Sequence, residues 1–404
     1  MKNDFEILII GTDINAYTMA RCYHEQYGKK ANLIGKEEMK FTSLSSIVQI
    51  EYEPNLWDTE TFKKTLKTFA LNHPGKKILL IGTNDFYVRL IAENKDFLKK
   101  WYVFNYPNIE IVNNFLKKDA FYEKYKDVLD VPKTYLYSCK EKKLNLDLRY
   151  PIIVKPGNGV TYYKHKFVGQ SKVYRIKSEA ELHEVIQKIE DSGYEDQLIL
   201  QEFIPGDDDC LSDCIFYCNQ KGKAEFASFA QIGLQEHTNT GVGNCTVLVN
   251  GYNEHGIPEE LIYQLKDFLE SIHYTGFAEF DLKFDARDGK YKIFEINPRQ
   301  ARCSYYLAFC GYNLVKYLVD DLIYKKTKKF EIIKEKKALS FVPNTVIKNC
   351  VKSEKLKKEL NTLRKQKKIC NPLLYKNDQN FKRKIYLFLR KINYMKKYKN
   401  QNWW

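Results

Sequence analysis

The residues best placed to do chemistry lie in Gly276-Phe277-Ala278-Glu279-Phe280-Asp281-Leu282-Lys283-Phe284-Asp285 and, after residues 286–289, in Lys290-Tyr291-Lys292-Ile293-Phe294-Glu295-Ile296-Asn297-Pro298-Arg299. Both runs alternate as strands do, and the short connection predicts an antiparallel hairpin. Asp281 and Glu295 then stand on neighbouring strands. Asn297, two residues past Glu295, shares its face because a strand repeats every two residues. Two carboxylates and an amide oxygen suit Mg²⁺, a hard cation that leaves its remaining positions to phosphate oxygens. Arg299 can reach a transferring phosphoryl group or an acyl phosphate through a two-pronged contact. An acidic hairpin alone is commonly just a solvated face. Here a proline stops the strand directly after Asn297 and an arginine follows at once, a costly ending for a plain hairpin.

Two further segments carry weaker signals. Pro151-Ile152-Ile153-Val154-Lys155-Pro156 is an apolar strand ending in a lysine, with Gly157 and Gly159 beyond it. Such a lysine is a positioned positive charge, and a glycine-bearing loop can bring backbone N–H groups over phosphates. Leu198-Ile199-Leu200-Gln201-Glu202-Phe203-Ile204-Pro205-Gly206-Asp207-Asp208-Asp209 reads as a strand running into a short connector. A flat heterocycle needs one acceptor and one N–H there, which Gln201 or Glu202 and the Ile204 backbone can offer. The acidic triplet can hold ribose hydroxyls, although Pro-Gly-Asp is also an ordinary turn.

These side chains need elements to carry them. Phe5 to Ile10, Gly11-Thr12-Asp13 and Ala16 to Tyr27 predict a buried strand, a turn and an amphipathic helix, and 77–81, Gly82-Thr83-Asn84-Asp85 and a helix from Phe86 repeat the pattern. That is an open α/β domain with polar loops at the carboxyl ends of its strands. Only Gly11 stands where a dinucleotide fingerprint would have three glycines, which excludes a nicotinamide site of that kind. A charged helix is expected from Phe115 to Val128. Strands follow at 135–137, 151–155, 171–176 and 197–201, with a helix at 178–191 and more strands to about Ile296, an α+β arrangement.

The order of these signals resembles the ATP-grasp superfamily, in which a nucleotide is held between two α+β subdomains. The resemblance runs from about Asn114 to Asp321, behind an α/β domain where that superfamily commonly has one. It implies four parts: an α/β domain over 1–110, ATP-grasp subdomains over 111–200 and 201–328, and a basic helical C-terminal extension over 329–404. By the same resemblance Lys118, in Lys117-Lys118-Asp119-Ala120-Phe121-Tyr122, and Lys155 contact phosphates. Gln201, Glu202 and Ile204 contact adenine, and Asp208 contacts the ribose. Asp281, Glu295 and Asn297 hold the metal, and Arg299 stabilises the transferred phosphate.

Within the superfamily the chain is most similar to D-aspartate ligases of peptidoglycan synthesis and related carboxylate–amine ligases. The similarity lies in Phe115 to Tyr122, Asn158 to Phe167, Gln201 to Asp208 and Glu295-Ile296-Asn297-Pro298-Arg299-Gln300-Ala301-Arg302-Cys303-Ser304-Tyr305-Tyr306. It implies an enzyme that uses ATP and Mg²⁺, or Mn²⁺ in its place, to turn a carboxylate into an acyl phosphate. The acyl group of D-aspartate or a similar amino acid then passes to an amine, the lysine side chain of a cell-wall precursor peptide carried on a nucleotide or a lipid. Arg302, Ser304 and His237 are candidate contacts for the amino-acid carboxylate, although a lone histidine is commonly structural. One alternative is a ligase for another amino acid and acceptor, making a dipeptide or modifying a surface polymer. A non-catalytic nucleotide-binding module at a membrane is the other, and the complete set Asp281, Glu295, Asn297 and Arg299 speaks against it.

Charge narrows the partners. The formal net charge is +15, yet 325–404 alone holds 25 Lys/Arg against 5 Asp/Glu, a surplus of 20, which leaves 1–324 at −5. A mildly acidic body with a basic appendage argues for an anionic surface as the appendage's partner and against a nucleic-acid-binding core. Phe381, Ile385, Phe388, Ile392 and Met395 recur at helical spacing among Lys382, Arg383, Lys384, Arg390, Lys391, Lys396 and Lys397, ahead of Trp403-Trp404. Such a basic amphipathic helix suits the anionic inner face of a membrane or packs on the protein's own body. No leader segment and no spanning apolar run is visible, so a cytoplasmic protein is expected. The ten cysteines, scattered and without a secretory context, read as buried thiols. Cys210, Cys214 and Cys218 recur every four residues on what reads as a strand, which argues against a metal site.

Overall fold

The computed structural model describes residues 5–144, 146–147, 149–237, 241 and 243–399, and every count below is of these residues. β1 (Phe5–Ile10), β2 (Ala31–Gly35), β3 (Val48–Tyr52), β4 (Lys77–Gly82) and β5 (Tyr102–Val103) form a parallel sheet in the order β3-β2-β1-β4-β5. Alternate residues of β1 feed opposite cores: Phe5, Ile7 and Ile9 enter one cluster, Leu8 and Ile10 another. A parallel strand covered on both sides must be apolar on both, as Phe5–Ile10 is apart from Glu6. Asp13 and Asn84 cap the helices Ile14–Tyr27 and Asp85–Glu93 through their side chains, which fixes where the loops after β1 and β4 end.

β6 (Thr134–Ser138), β7 (Ile152–Pro156), β8 (Tyr174–Ile176) and β9 (Gln197–Glu202) form an antiparallel sheet ordered β6-β9-β7-β8. The helix Glu179–Asp191 contributes Leu182, Ile186 and Ile189 to the core shared with this sheet. The large sheet comprises β10 (Leu211–Cys218), β11 (Ala224–Gln235), β12 (Cys245–Asn250), β13 (Gly276–Asp285), β14 (Lys290–Asn297), β15 (Glu331–Ile333), β16 (Lys337–Ser340) and β17 (Ile369–Cys370). Its order is β14-β13-β10-β11-β12-β16-β17, with β15 beside β11. Gly276 opens β13 against the first domain at φ 96°, where a Cβ would come within 2.3 Å of the Asn105 carbonyl oxygen, so only glycine fits.

Some local expectations change. The expected helix from Phe115 to Val128 is two, Ile109–Leu116 and Lys118–Tyr125, broken at Lys117, whose backbone is extended. Phe115 and Phe121 are both buried, and the break lets each reach one core while Lys118 heads the second helix. The glycine-bearing segment after β7 forms the short helix Gly159–Tyr162, pinned by the buried Tyr162, whose hydroxyl lies 2.7 Å from that of Tyr174. Residues 331–370, in the stretch expected to be helical, supply the three short strands β15 to β17. Cys210, Cys214 and Cys218 are free thiols.

The helix Phe381–Lys399 closes the described chain, and Trp403 and Trp404 lie outside it. It is anchored by the ion pair between Arg383 and Asp378, 3.2 Å apart with both side chains fully buried. Asp378 accepts hydrogen bonds from the hydroxyls of Tyr17, Ser45 and Ser46 and from the Ser46 N–H, while Arg383 donates to the Phe41 carbonyl and lies over the Tyr17 ring. Removing one member leaves a buried charge without its partner, so Asp378→Ala is expected to cost about 3–5 kcal/mol in denaturant unfolding. Burial pushes the Asp378 carboxyl up, but the Ser46 N–H and Arg383 more than offset this and hold it below its usual value. A depressed carboxyl stabilises the fold above its unfolded pKa, about 3.9, and loses that contribution as pH falls through the folded value. The gap between parent and Asp378→Ala, read by unfolding at several pH values, is therefore expected to shrink below about pH 4.

Candidate active site

β13 and β14 pair with Asp281 opposite Glu295 and Glu279 opposite Asn297, and the register then skips Phe294. On the other side of β13, Asp213 of β10 stands opposite Asp281. Asp213, Asp281 and Glu295 thus form a lateral row across three strands. Like charges at directly paired positions destabilise a sheet, so the row is costly unless cations answer it.

Lys118 and Lys155 come from distant segments, and Arg299 from just past the end of β14. Lys118 Nζ lies 2.9 Å from Glu295, and each side chain keeps about a third of its surface open, 30% and 32%. Arg299 meets three acceptors at once: Nε to Asp85 at 2.6 Å, Nη1 to Glu279 at 3.0 Å and Nη2 to the Asn297 amide oxygen at 3.1 Å. Lys155 Nζ lies 3.1 Å from both the Tyr122 hydroxyl and the Gln201 amide oxygen, and the Tyr122 hydroxyl donates to the Phe294 carbonyl at 2.6 Å.

Protonation follows from these neighbours. Lys118 holds the Glu295 carboxyl well below the usual carboxylate range, outweighing burial. Burial pushes the Asp281 carboxyl up, and Glu279 and Glu295 push the same way. Burial, with Lys118 alongside, drives the Lys155 ammonium well below its ordinary value, and the same two causes lower Lys172. Crowded acids facing crowded lysines is an arrangement that gains from a divalent cation on one side and an anion on the other. The oxygen donors of Asp281, Glu295 and Asn297 fit a hard cation. Asn297 turns its amide nitrogen to Asp281, 3.2 Å away, so ligation through its oxygen requires the amide to turn over.

All these groups except Tyr122 line one cavity of about 790 Å³ between the β6–β9 sheet and the large sheet, within the size range of small-molecule sites. Lys118, Lys155, Gln201, Glu202, Ile204, Asp208, His237, Asp281, Glu295, Asn297, Arg299 and Arg302 all reach it. Three of these are engaged differently from the simplest expectation. The Gln201 amide bridges Lys155 and the Thr134 hydroxyl, and the Glu202 carboxylate takes the Lys133 N–H and Arg287. The Asp208 carboxylate accepts from the Gln235 N–H and side-chain amide and pairs with His237 at 2.9 Å, whereas Asp207 is exposed at the cavity wall. Ser304 stands apart, fully buried and away from the cavity.

Sequence reasoning missed Asp85, Tyr122, Lys172, Arg175, Phe203 and Asp213. The Phe203 ring faces the cavity with the Arg175 guanidinium 4.2 Å from its centre and Lys283 5.5 Å away. Asp85 carried a usable signal, since polar loops after parallel strands line sites. The others needed tertiary contacts.

No family model matches the chain. It is 30% identical to a D-aspartate ligase from Enterococcus faecium (strain Aus0004), over 98% of this chain and 97% of that protein. Among solved structures it resembles an L-amino acid ligase from Bacillus licheniformis, with a TM-score of 0.57, 16% identity and coverage of 80% of this chain and 75% of the other. It likewise resembles an N5-carboxyaminoimidazole synthetase from Staphylococcus aureus, with a TM-score of 0.59, 13% identity and coverage of 84% and 82%. At those identities the structural likeness establishes the fold, and the near full-length relative establishes more: the chain belongs to the ATP-grasp carboxylate–amine ligases, in the family of the D-aspartate ligase.

Proposed function

We propose that the protein activates the side-chain carboxylate of D-aspartate with ATP and joins it to the lysine amine of a peptidoglycan precursor peptide. The row Asp213, Asp281 and Glu295, lining one cavity with Lys118, Lys155 and Arg299, is the observation that carries the ligase reading. The D-aspartate ligase relative supports the choice of amino acid.

A carboxylate is a poor electrophile because its leaving group would be oxide. Transfer of the γ-phosphoryl group from ATP to a carboxylate oxygen breaks the bond to ADP and makes an acyl phosphate. The amine then attacks the acyl carbon, inorganic phosphate leaves, and the amine's proton passes to phosphate or water. Asp281, Glu295 and Asn297 would hold Mg²⁺, or Mn²⁺, which would supply positive charge to the phosphate oxygens. Lys118 and Lys155 spread the remaining charge, and Arg299, held as a fork, faces the group in transfer. The Ile204 backbone and the Phe203 face receive the adenine, and the acids after Gly206 receive the ribose. Arg302 and His237 contact the amino-acid substrate.

Phosphate release over a panel of D- and L-amino acids, with and without a lysine-containing precursor peptide, tests the reading. D-Aspartate with the peptide is expected to exceed every other pair by at least about tenfold in kcat/KM. Preference for another pair favours a ligase of the same fold with different substrates, the reading suggested by the L-amino acid ligase neighbour. Release that no amino acid stimulates leaves only nucleotide binding.

A further inference from the structure

The C-terminal helix carries apolar side chains on two faces, and only one of them docks: Tyr394 and Tyr398 join the core, with Leu387 and Met395 packed against it. Arg383, Tyr394 and Tyr398 are buried, and Tyr386, Leu387, Arg390 and Met395 are half-buried. Tyr394 donates to Glu236 at 3.3 Å, Tyr398 donates to the Gln235 carbonyl at 2.9 Å, and Lys397 pairs with Glu236 at 3.2 Å. The helix is therefore fixed to the end of β11, beside Arg302 and the cavity wall.

The opposite face carries Phe381, Ile385, Phe388 and Leu389, which are 78%, 45%, 63% and 57% exposed. Four large apolar side chains on one docked helix are not scattered surface residues but a patch. Around them Lys382, Lys384, Lys391 and Lys396 are exposed, and among the described residues none of the four makes an ion pair. The helix holds eight Lys/Arg and no acidic residue. A protein partner that covered the apolar patch would have to bring acids to all of these lysines, whereas an anionic lipid surface offers both chemistries everywhere.

We propose that this face is a seat for an anionic lipid bilayer, with the four apolar side chains entering the headgroup boundary and the lysines meeting lipid phosphates. Docking by the opposite face means that the helix reaches the bilayer without leaving the body. The membrane-bound enzyme thus keeps its β11 end and Arg302 braced, and it works on acceptors at the lipid surface. The proposal stands whichever amino acid is activated.

Full-length protein is sedimented with vesicles of phosphatidylcholine alone or with about 30 mol % phosphatidylglycerol. Binding to the anionic vesicles is expected to be at least about tenfold tighter and to weaken as salt is raised. The quadruple variant Phe381→Gln, Ile385→Gln, Phe388→Gln, Leu389→Gln is expected to lose that binding while its melting temperature and its ligation of water-soluble substrates stay at parent values. A Lys382→Gln, Lys384→Gln, Lys391→Gln variant, free of any packing change, is expected to lose most of it too. Equal binding to both vesicle types, or full binding by either variant, overturns the proposal. So does a concentration-dependent dimer, seen by light scattering and abolished by the quadruple variant, since a second copy would then be the occupant.

Discussion

Glu295→Ala is expected to lower kcat for ATP-dependent ligation by about 10³-fold, roughly 4 kcal/mol of transition-state stabilisation. The side chain is both the partner of Lys118 at 2.9 Å and the cross-strand neighbour of Asp281. Its loss leaves Asp281 without the second carboxylate of the donor set and frees Lys118 to swing away from the phosphates it should meet. Glu295→Gln keeps the shape and removes the charge, so it is expected to fall nearly as far. Stability should fall as well: Lys118 holds the Glu295 carboxyl below its usual range, so the ionised side chain stabilises the fold, and its loss is expected to lower the melting temperature. Steady-state ADP and phosphate release, read beside thermal unfolding, checks both halves. An alanine variant within about threefold of the parent rate removes the hairpin from the mechanism.

The part of this site that was legible in the sequence is the part fixed by local geometry. A period of two puts Glu295 and Asn297 on one face of their strand, but the register set by the four-residue turn holds only as far as Leu282 and would oppose Asp281 to Phe294. The bulge that skips Phe294 is what brings Glu295 opposite Asp281, and no local pattern announces it. Glu279 was visible as a strand residue, but its role was not, because that depends on Arg299 folding back over the strand end. Asp85 lies 214 residues from the arginine it holds, a distance across which periodicity carries no information. The segment after β9 shows the opposite failure. Gln201, Glu202 and Asp208 do line the cavity, yet their side chains are claimed by Thr134, Lys133, Arg287, Gln235 and His237, all from other elements. The C-terminal helix was legible as a helix, but its expected apolar stripe is divided: Phe381, Ile385 and Phe388 are exposed beside Leu389, whereas Met395 packs on the core. Which face docks was not legible, because burying Arg383 is tolerable only where Asp378 and the Phe41 carbonyl already wait for it.

Arg299→Lys is expected to lose about 10²–10³-fold in kcat/KM although it keeps the positive charge. A guanidinium meets Asp85, Glu279 and Asn297 in three directions from one plane, whereas an ammonium on a flexible stem can satisfy them only by giving up its aim at the cavity. Burial works against the cation, yet Asp85 and Glu279 raise its affinity for the proton, so it stays charged throughout any working pH range. Arg299→Ala should be worse in a second respect. Burial and Asp213 already push the Glu279 carboxyl up against the pull of the guanidinium, so removing Arg299 pushes it further in the same direction and costs the fold an ion pair. Adding free guanidinium ion at millimolar concentration to Arg299→Ala is expected to restore part of the rate, and adding it to Arg299→Lys is not, since the lysine fills the space. Asp85→Asn separates position from charge: the hydrogen bond of Asp85 at the site goes to Arg299 Nε, so the change is expected to lower kcat while leaving KM for ATP near the parent value. If Arg299→Lys and Asp85→Asn both keep parent kinetics, the three-way clasp on the arginine is a structural tie between the first domain and the hairpin, and the charge that meets the transferring phosphoryl group has to come from Lys118 and Lys155 alone.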